Sequence, residues 1–159
     1  MARIVLFPRR FLAPGFLLVS SLALVGSADA QGIGFQGGAT VDPERVFVGT
    51  HLETGEILQG LRFRPGIDGA LGGNYSLASI NIEFIYHTSL GRSGWSLYQG
   101  GGPAVVLVRQ NKNTDVGAGT FLTFGFAHEN GFFTEFKYGG GRSPTLKFGA
   151  GFTIRKKTP

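Results

Sequence analysis

Thr145-Leu146-Lys147-Phe148-Gly149-Ala150-Gly151-Phe152-Thr153-Ile154 alternates without a break. Leu146, Phe148, Ala150, Phe152 and Ile154 fall on one face, and Thr145, Lys147, Gly149, Gly151 and Thr153 on the other. Successive side chains of a strand point to opposite sides, so a period of two makes one face wholly apolar and the other polar or small. An amphipathic helix would need a period near 3.6, which this stretch lacks. The segment before it, Phe132 to Gly139, sets Phe132, Thr134, Phe136 and Tyr138 against Glu135 and Lys137. Asn130-Gly131 precedes that segment and suits the positive φ angles of a tight hairpin.

The same pattern continues towards the N-terminus. Val116 to His128 sets Leu122, Phe124 and Phe126 against Phe121, Thr123, Gly125 and Ala127, and Trp95 to Arg109 carries Tyr98, Gly100, Gly102, Ala104 and Val106 on one side. Tyr75 to His87 sets Ala78, Ile80, Ile82, Phe84 and Tyr86 against Ser79, Asn81, Glu83 and His87. Leu61 to Arg64, Arg45 to Glu53 and Ile33 to Val41 alternate likewise. Eight strands are therefore expected, with Pro65-Gly66 cutting or bending the third. Short turns are expected at Glu53 to Gly60, Thr88 to Gly94 and Glu129 to Gly131.

Composition narrows the class. The 159 residues suffice for one domain, and they include 27 glycines, 15 phenylalanines, only 16% charged residues and no cysteine. Such a chain is not disordered, and it has neither a disulfide framework nor a thiolate metal site. Its N-terminus has the three parts of an export signal. These are Arg3, Arg9 and Arg10, an apolar run from Phe11 to Val25, and the small residues Ala28 and Ala30 flanking Asp29. Pro14 and Gly15 break that run, leaving it short of the ~20 residues of a spanning helix. Residues 1–30 are thus expected to be a cleaved signal peptide and residues 31–159 one β-barrel domain. Loss of Arg3, Arg9, Arg10 and Asp29 takes the formal charge from +5 to +3, too mild an excess to imply nucleic acid.

Alternation occurs in soluble and membrane barrels alike, but with opposite faces inward. The polar faces here are rich in Gly, Ser and Thr, whereas a soluble surface carries ~25–35% charged residues. The apolar faces would overfill an eight-stranded lumen, which is only just wide enough for side chains. Both facts fit a tube with Leu, Ile, Val and Phe facing lipid. Lipid cannot satisfy an open sheet edge, so the sheet must close. The expected fold is an all-β, eight-stranded antiparallel up-and-down transmembrane barrel. Both termini then lie at the periplasmic end, where Tyr86 and Trp95 would belong to an aromatic girdle.

Lys147-Phe148-Gly149-Ala150-Gly151-Phe152-Thr153-Ile154 resembles the terminal β-signal of outer-membrane barrels, with Lys147, Gly149, Phe152 and Ile154 at its defining positions. It departs from the usual aromatic terminus, because Arg155 to Pro159 follow. With the leader and the eight strands, the chain resembles the small eight-stranded outer-membrane proteins of the outer-membrane protein A or opacity-protein type. That resemblance implies a bacterium of Gram-negative type and Sec export to the outer membrane. It also implies contact with lipid and lipopolysaccharide, recognition by the barrel-assembly machinery, and a monomer without cofactor.

Candidate chemistry is sparse. The lumen is expected to hold Gln36, His51, Glu53, Arg62, Arg64, Asn81, Glu83, Glu135, Lys137 and Lys147. Of these, Arg62, Arg64 and Glu83 lie on one adjacent pair of strands, and Glu135, Lys137 and Lys147 on another. Charges held in so narrow a space must be paired, so the expectation is a salt-bridged plug in a non-enzymatic, structural or surface-interacting protein. A narrow channel or small-ligand barrel is the alternative. A third reading rests on His87-Thr88-Ser89, which resembles the His-x-Ser of outer-membrane lipid A deacylases. The Asn and Gly after that Ser, and the Asn-Pro-Gly beyond, are absent here, and the pair falls near the periplasmic turn. His51, His87 and His128 lack metal-ligand spacing. Gly100-Gly101-Gly102-Pro103 follows no phosphate-loop pattern and suggests close packing or curvature. Arg109, Lys112 and Arg142 fall in expected outer loops, as solvated charges or as contacts for lipopolysaccharide phosphates.

Overall fold

A computed structural model describes residues 30–72, 75–110 and 113–156. The described residues form strands β1 (Ala30–Val41), β2 (Arg45–Thr54), β3 (Glu56–Leu58), β4 (Leu61–Leu71), β5 (Tyr75–Ser89), β6 (Trp95–Gln110), β7 (Asn113–His128), β8 (Phe132–Gly141) and β9 (Leu146–Arg155). The leader read at residues 1–30 lies outside the described residues, apart from Ala30, which begins β1.

Consecutive strands pair antiparallel, except that β2 and β3 both pair with β4, and β9 pairs with β1 from Gly32↔Arg155 to Val41↔Leu146. The sheet therefore closes. Strand β3 is a three-residue extension of the β2–β4 hairpin, so the barrel has eight strands around its wall. Ten strand residues at about 3.3 Å each, tilted about 40°, rise about 25 Å, the height of an apolar membrane band. The near end, as we call it, carries the turns at 59–60, 90–94 and 129–131. The far end carries those at 42–44 and 142–145, with β4 joined to β5 and β6 to β7 on the same side.

The third wall strand differs from its expected form. Pro65-Gly66 neither cuts nor ends it, and β4 runs on to Leu71. Proline lacks an N–H, and the β2–β4 ladder stops beside it, at His51↔Gly66. Beyond that point the Thr54 hydroxyl takes over, accepting from Phe63 N at 3.1 Å and lying 3.2 Å from Phe63 O. Two expected turns also shorten, because β2 continues to Thr54 and β5 to Ser89.

Side chains sort by parity. Phe35, Val48, Phe84, Leu122, Phe124, Phe148 and Ile154 stand on the outer face, with Val48 64% and Leu122 55% exposed. An exposed apolar band of this extent is foreign to a soluble monomer. Inside, the lumen is layered. Phe47, Ala70, Leu77, Ala104, Val106 and Phe121 pack together towards the far end. Ile85, Tyr98, Ala127 and Phe133 pack towards the near end. Buried charged side chains, among them Arg64, Glu83, Glu135 and Lys137, lie between the two layers.

Glycine is required where neighbouring backbones crowd the wall. A Cβ on Gly102 would sit 1.8 Å from the Ile82 carbonyl oxygen, a backbone atom that cannot swing aside. Gly102→Ala is accordingly expected to destabilise the barrel by about 1–3 kcal/mol. Urea unfolding of the refolded protein measures this, and an unchanged midpoint would show that β5 and β6 are not held together there.

Candidate functional site

Between the apolar layers sit three cations, Arg64, Lys137 and Lys147, and three anions, Asp68, Glu83 and Glu135. All six are buried, and the set is electrically neutral. Period two aims each one inward. Arg64 and Asp68 come from β4, Glu83 from β5, Glu135 and Lys137 from β8, and Lys147 from β9.

Arg64 is the hub. Its Nη2 lies 2.6 Å from Glu83 Oε2 and 2.9 Å from Glu135 Oε2, and its Nε donates to Glu83 Oε2 at 3.1 Å. Lys137 donates to the other Glu83 oxygen and sits 3.3 Å from Glu135 Oε1. Tyr98 Oη donates to Glu135 Oε2 at 3.2 Å, and the Tyr98 ring lies 5.3 Å from the Arg64 guanidinium carbon. A second group centres on Asp68. Its carboxylate accepts from Lys147 Nζ, from Gln36 Nε2 at 2.8 Å and from Asn81 Nδ2 at 2.6 Å. Lys147 Nζ also stands 4.0 Å above the Phe47 ring. Taking these charges out of water costs several kcal/mol per ion, which only such dense pairing offsets.

The grouping by adjacent strands changes in the folded tube. Arg64 and Glu83 pair across neighbours, but the same Arg64 reaches Glu135 on the opposite wall, so the two sets merge. Arg62 separates from them. It pairs with Glu53 and approaches Glu56 at 3.5 Å near the barrel mouth, where Arg155 also reaches Glu53 at 3.4 Å. Lys147 does not join Glu135 and Lys137 but binds Asp68. Asp68 is the member that sequence reasoning missed. Counting by twos straight through Pro65 puts Arg62, Arg64, Gly66, Asp68 and Ala70 on one face, and that signal would have found it.

The interior leaves little room. A cavity bordered by Gln36, His51, Arg64, Asp68, Asn81 and Lys137 holds about 10 Å³, roughly the least that admits one water molecule.

His87 and Ser89 do not form a pair. His87 Nδ1 faces Ser96 Oγ at 3.5 Å and its ring stacks on Tyr98, while the exposed Ser89 hydroxyl donates to Gly91 O at 3.3 Å. Among the described residues, no three of His, Asp and Glu come together as a metal-holding group. Lys147, Gly149, Phe152 and Ile154 occupy β9 at the closing seam, with Lys147 inward and Phe152 and Ile154 outward. Tyr86 and Trp95 stand on the outer face towards the near end. Arg142 is exposed and pairs with Asp115 at 2.6 Å, and Arg109 is exposed at the end of β6. Lys112 lies outside the described residues.

No protein-family model and no curated protein matches the chain. A similar solved structure is the crystal structure of the N-terminal β-barrel domain of Pseudomonas aeruginosa OprF. The two share 13% sequence identity and a TM-score of 0.53, over 78% of this chain and 98% of that one. At this identity the likeness speaks for the fold.

Proposed function

We propose that a chain with the fold of that barrel domain is itself an integral outer-membrane barrel, non-enzymatic, structural or surface-interacting, with a lumen closed by its ion pairs. The observation that carries this reading is the inversion of the usual arrangement. Large apolar side chains cover the outside, while Arg64, Asp68, Glu83, Glu135, Lys137 and Lys147 are sealed within. Water would not tolerate that wall, and lipid favours it. The similarity to the OprF barrel domain supports the same placement. The leader at residues 1–30 would direct Sec export. Lys147, Gly149, Phe152 and Ile154 would present the terminal strand to the assembly machinery, and the monomer would sit in lipid and lipopolysaccharide. A hydrolase reading gains nothing from the separated His87 and Ser89.

Membrane fractionation with heat-modifiable gel migration tests this reading. The folded chain is expected in the outer-membrane fraction, with a migration that changes on boiling. A soluble product without that change would overturn it. Planar-bilayer recording of the refolded protein is expected to give no steady steps, because a 10 Å³ cavity offers no continuous path. Regular single-channel openings would replace the plug with a channel.

A further inference from the structure

Strand β7 has 16 residues, about six more than a tilted strand needs to cross an apolar band. It pairs with β6 along its whole length, from Trp95↔His128 to Gln110↔Asn113. Its ladder with β8 reaches only to Gly119↔Gly141. Past that point Arg142 N donates to Ala118 O at 3.0 Å, and Ser143, the next residue, is buried. Asn113 to Gly117 therefore have no strand on their second side among the described residues. Backbone groups of successive residues point to opposite sides of an antiparallel strand. The Ala118 carbonyl points to the β8 side, so Thr114 and Val116 aim their N–H and C=O groups the same way, along an open edge. The usual guards of an edge are missing. The register with β6 has no bulge here, and the stretch holds neither proline nor lysine. Its one charge, Asp115, is already met by Arg142 at 2.6 Å. Val116 is 59% exposed on the outer face, beside Leu107. Arg109, beside Thr114 on that face, is exposed and makes no ion pair among the described residues.

We propose that this edge takes up an extended peptide segment of a partner protein by strand addition, antiparallel to β7. Another backbone repeats donors and acceptors at the spacing that Thr114 and Val116 present. The partner's side chain opposite Val116 is apolar, and the one opposite Thr114 is acidic and within reach of Arg109. A second copy in the same membrane does not fit, because its β7 crosses the bilayer in the same direction and cannot lie antiparallel to this one. The surface-interacting reading above, on which this rests, thereby gains a partner of stated chemistry.

Amide hydrogen exchange of the folded full chain in detergent micelles tests this, with the end-capped peptide Thr-Val-Thr-Glu-Thr as the probe. Without peptide, the Thr114 and Val116 amides are expected to exchange faster than those of Asp115 and Gly117, which face β6. Excess peptide is expected to slow Thr114 and Val116 about tenfold, as one net hydrogen bond would. Val116→Pro removes an edge donor and leaves the β6 ladder whole, because proline's missing N–H falls on the open side. It is expected to weaken binding about tenfold, read at Thr114. A probe with lysine in place of glutamate is expected to bind about threefold more weakly to the unmutated chain. Four results would each overturn the proposal. They are no slowing at Thr114 and Val116, equal slowing throughout the barrel, unchanged affinity in a heat-modifiable Val116→Pro protein, and equal affinity for the two probes. An unmutated chain that is not heat-modifiable would instead refute the outer-membrane reading.

Discussion

Glu83→Ala is expected to lower the unfolding free energy of the refolded barrel by about 3–5 kcal/mol. Glu83 is 1% exposed and accepts from both Arg64 and Lys137. Its removal leaves those two cations with Glu135 as their one remaining carboxylate partner in the cluster. An unpaired buried charge is far costlier than a missing pair, because the surviving ion keeps its desolvation penalty and loses its compensation. The double change Glu83→Leu with Lys137→Met restores neutrality and is therefore expected to recover most of the loss. Equilibrium urea unfolding in detergent, read by the heat-modifiable band, measures both. If Glu83→Ala costs less than about 1 kcal/mol, the cluster is hydrated and the lumen is not sealed.

Leu122→Arg is expected to cost about 2–4 kcal/mol in a lipid bilayer, whereas Val46→Arg costs about 0–1 kcal/mol. Both side chains are more than half exposed on the outer face. Leu122 lies midway along β7, opposite Gly101 on one side and Tyr138 on the other, and Val46 lies at the far end of β2. In water an exposed arginine would change stability by no more than about 0.5 kcal/mol at either site. A gradient with depth is what lipid imposes on a charge. Unfolding in vesicles measures it, and equal small effects at both positions would reject the lipid-facing wall.

The architecture was legible because strands with one apolar and one polar or small face alternate strictly with a period of two. Phe84 beside Glu83, or Phe148 beside Lys147, shows the alternation, and the Gly-, Ser- and Thr-rich polar faces show which side turns inward. What the sequence hid was who meets whom across the tube. Neighbouring strands can be paired from their order, but Arg64 and Glu135 are 71 residues apart and meet only through the lumen. Asp68 was hidden for another reason. Proline and glycine are strong strand breakers on average, yet Pro65 stands where the β2–β4 ladder ends and its missing N–H removes little. His87 and Ser89 share a strand face by spacing. Ser89 nevertheless lies at the end of β5, where its hydroxyl turns to Gly91 instead.

The Lys147–Asp68 bond joins the closing strand to a strand on the other side of the tube. A sheet growing from either terminus keeps these residues apart until the circle is nearly complete. The bond thus spans the tube, and it needs the sheet to have curled far enough to bring β9 within reach of β4. Contacts so distant in sequence slow folding, because chain entropy must be lost before they form. They also make a part-built sheet poorer than the finished one, since it holds an unmatched ammonium on its last strand. The tube is in this sense self-proofreading: only the closed ring neutralises its own interior.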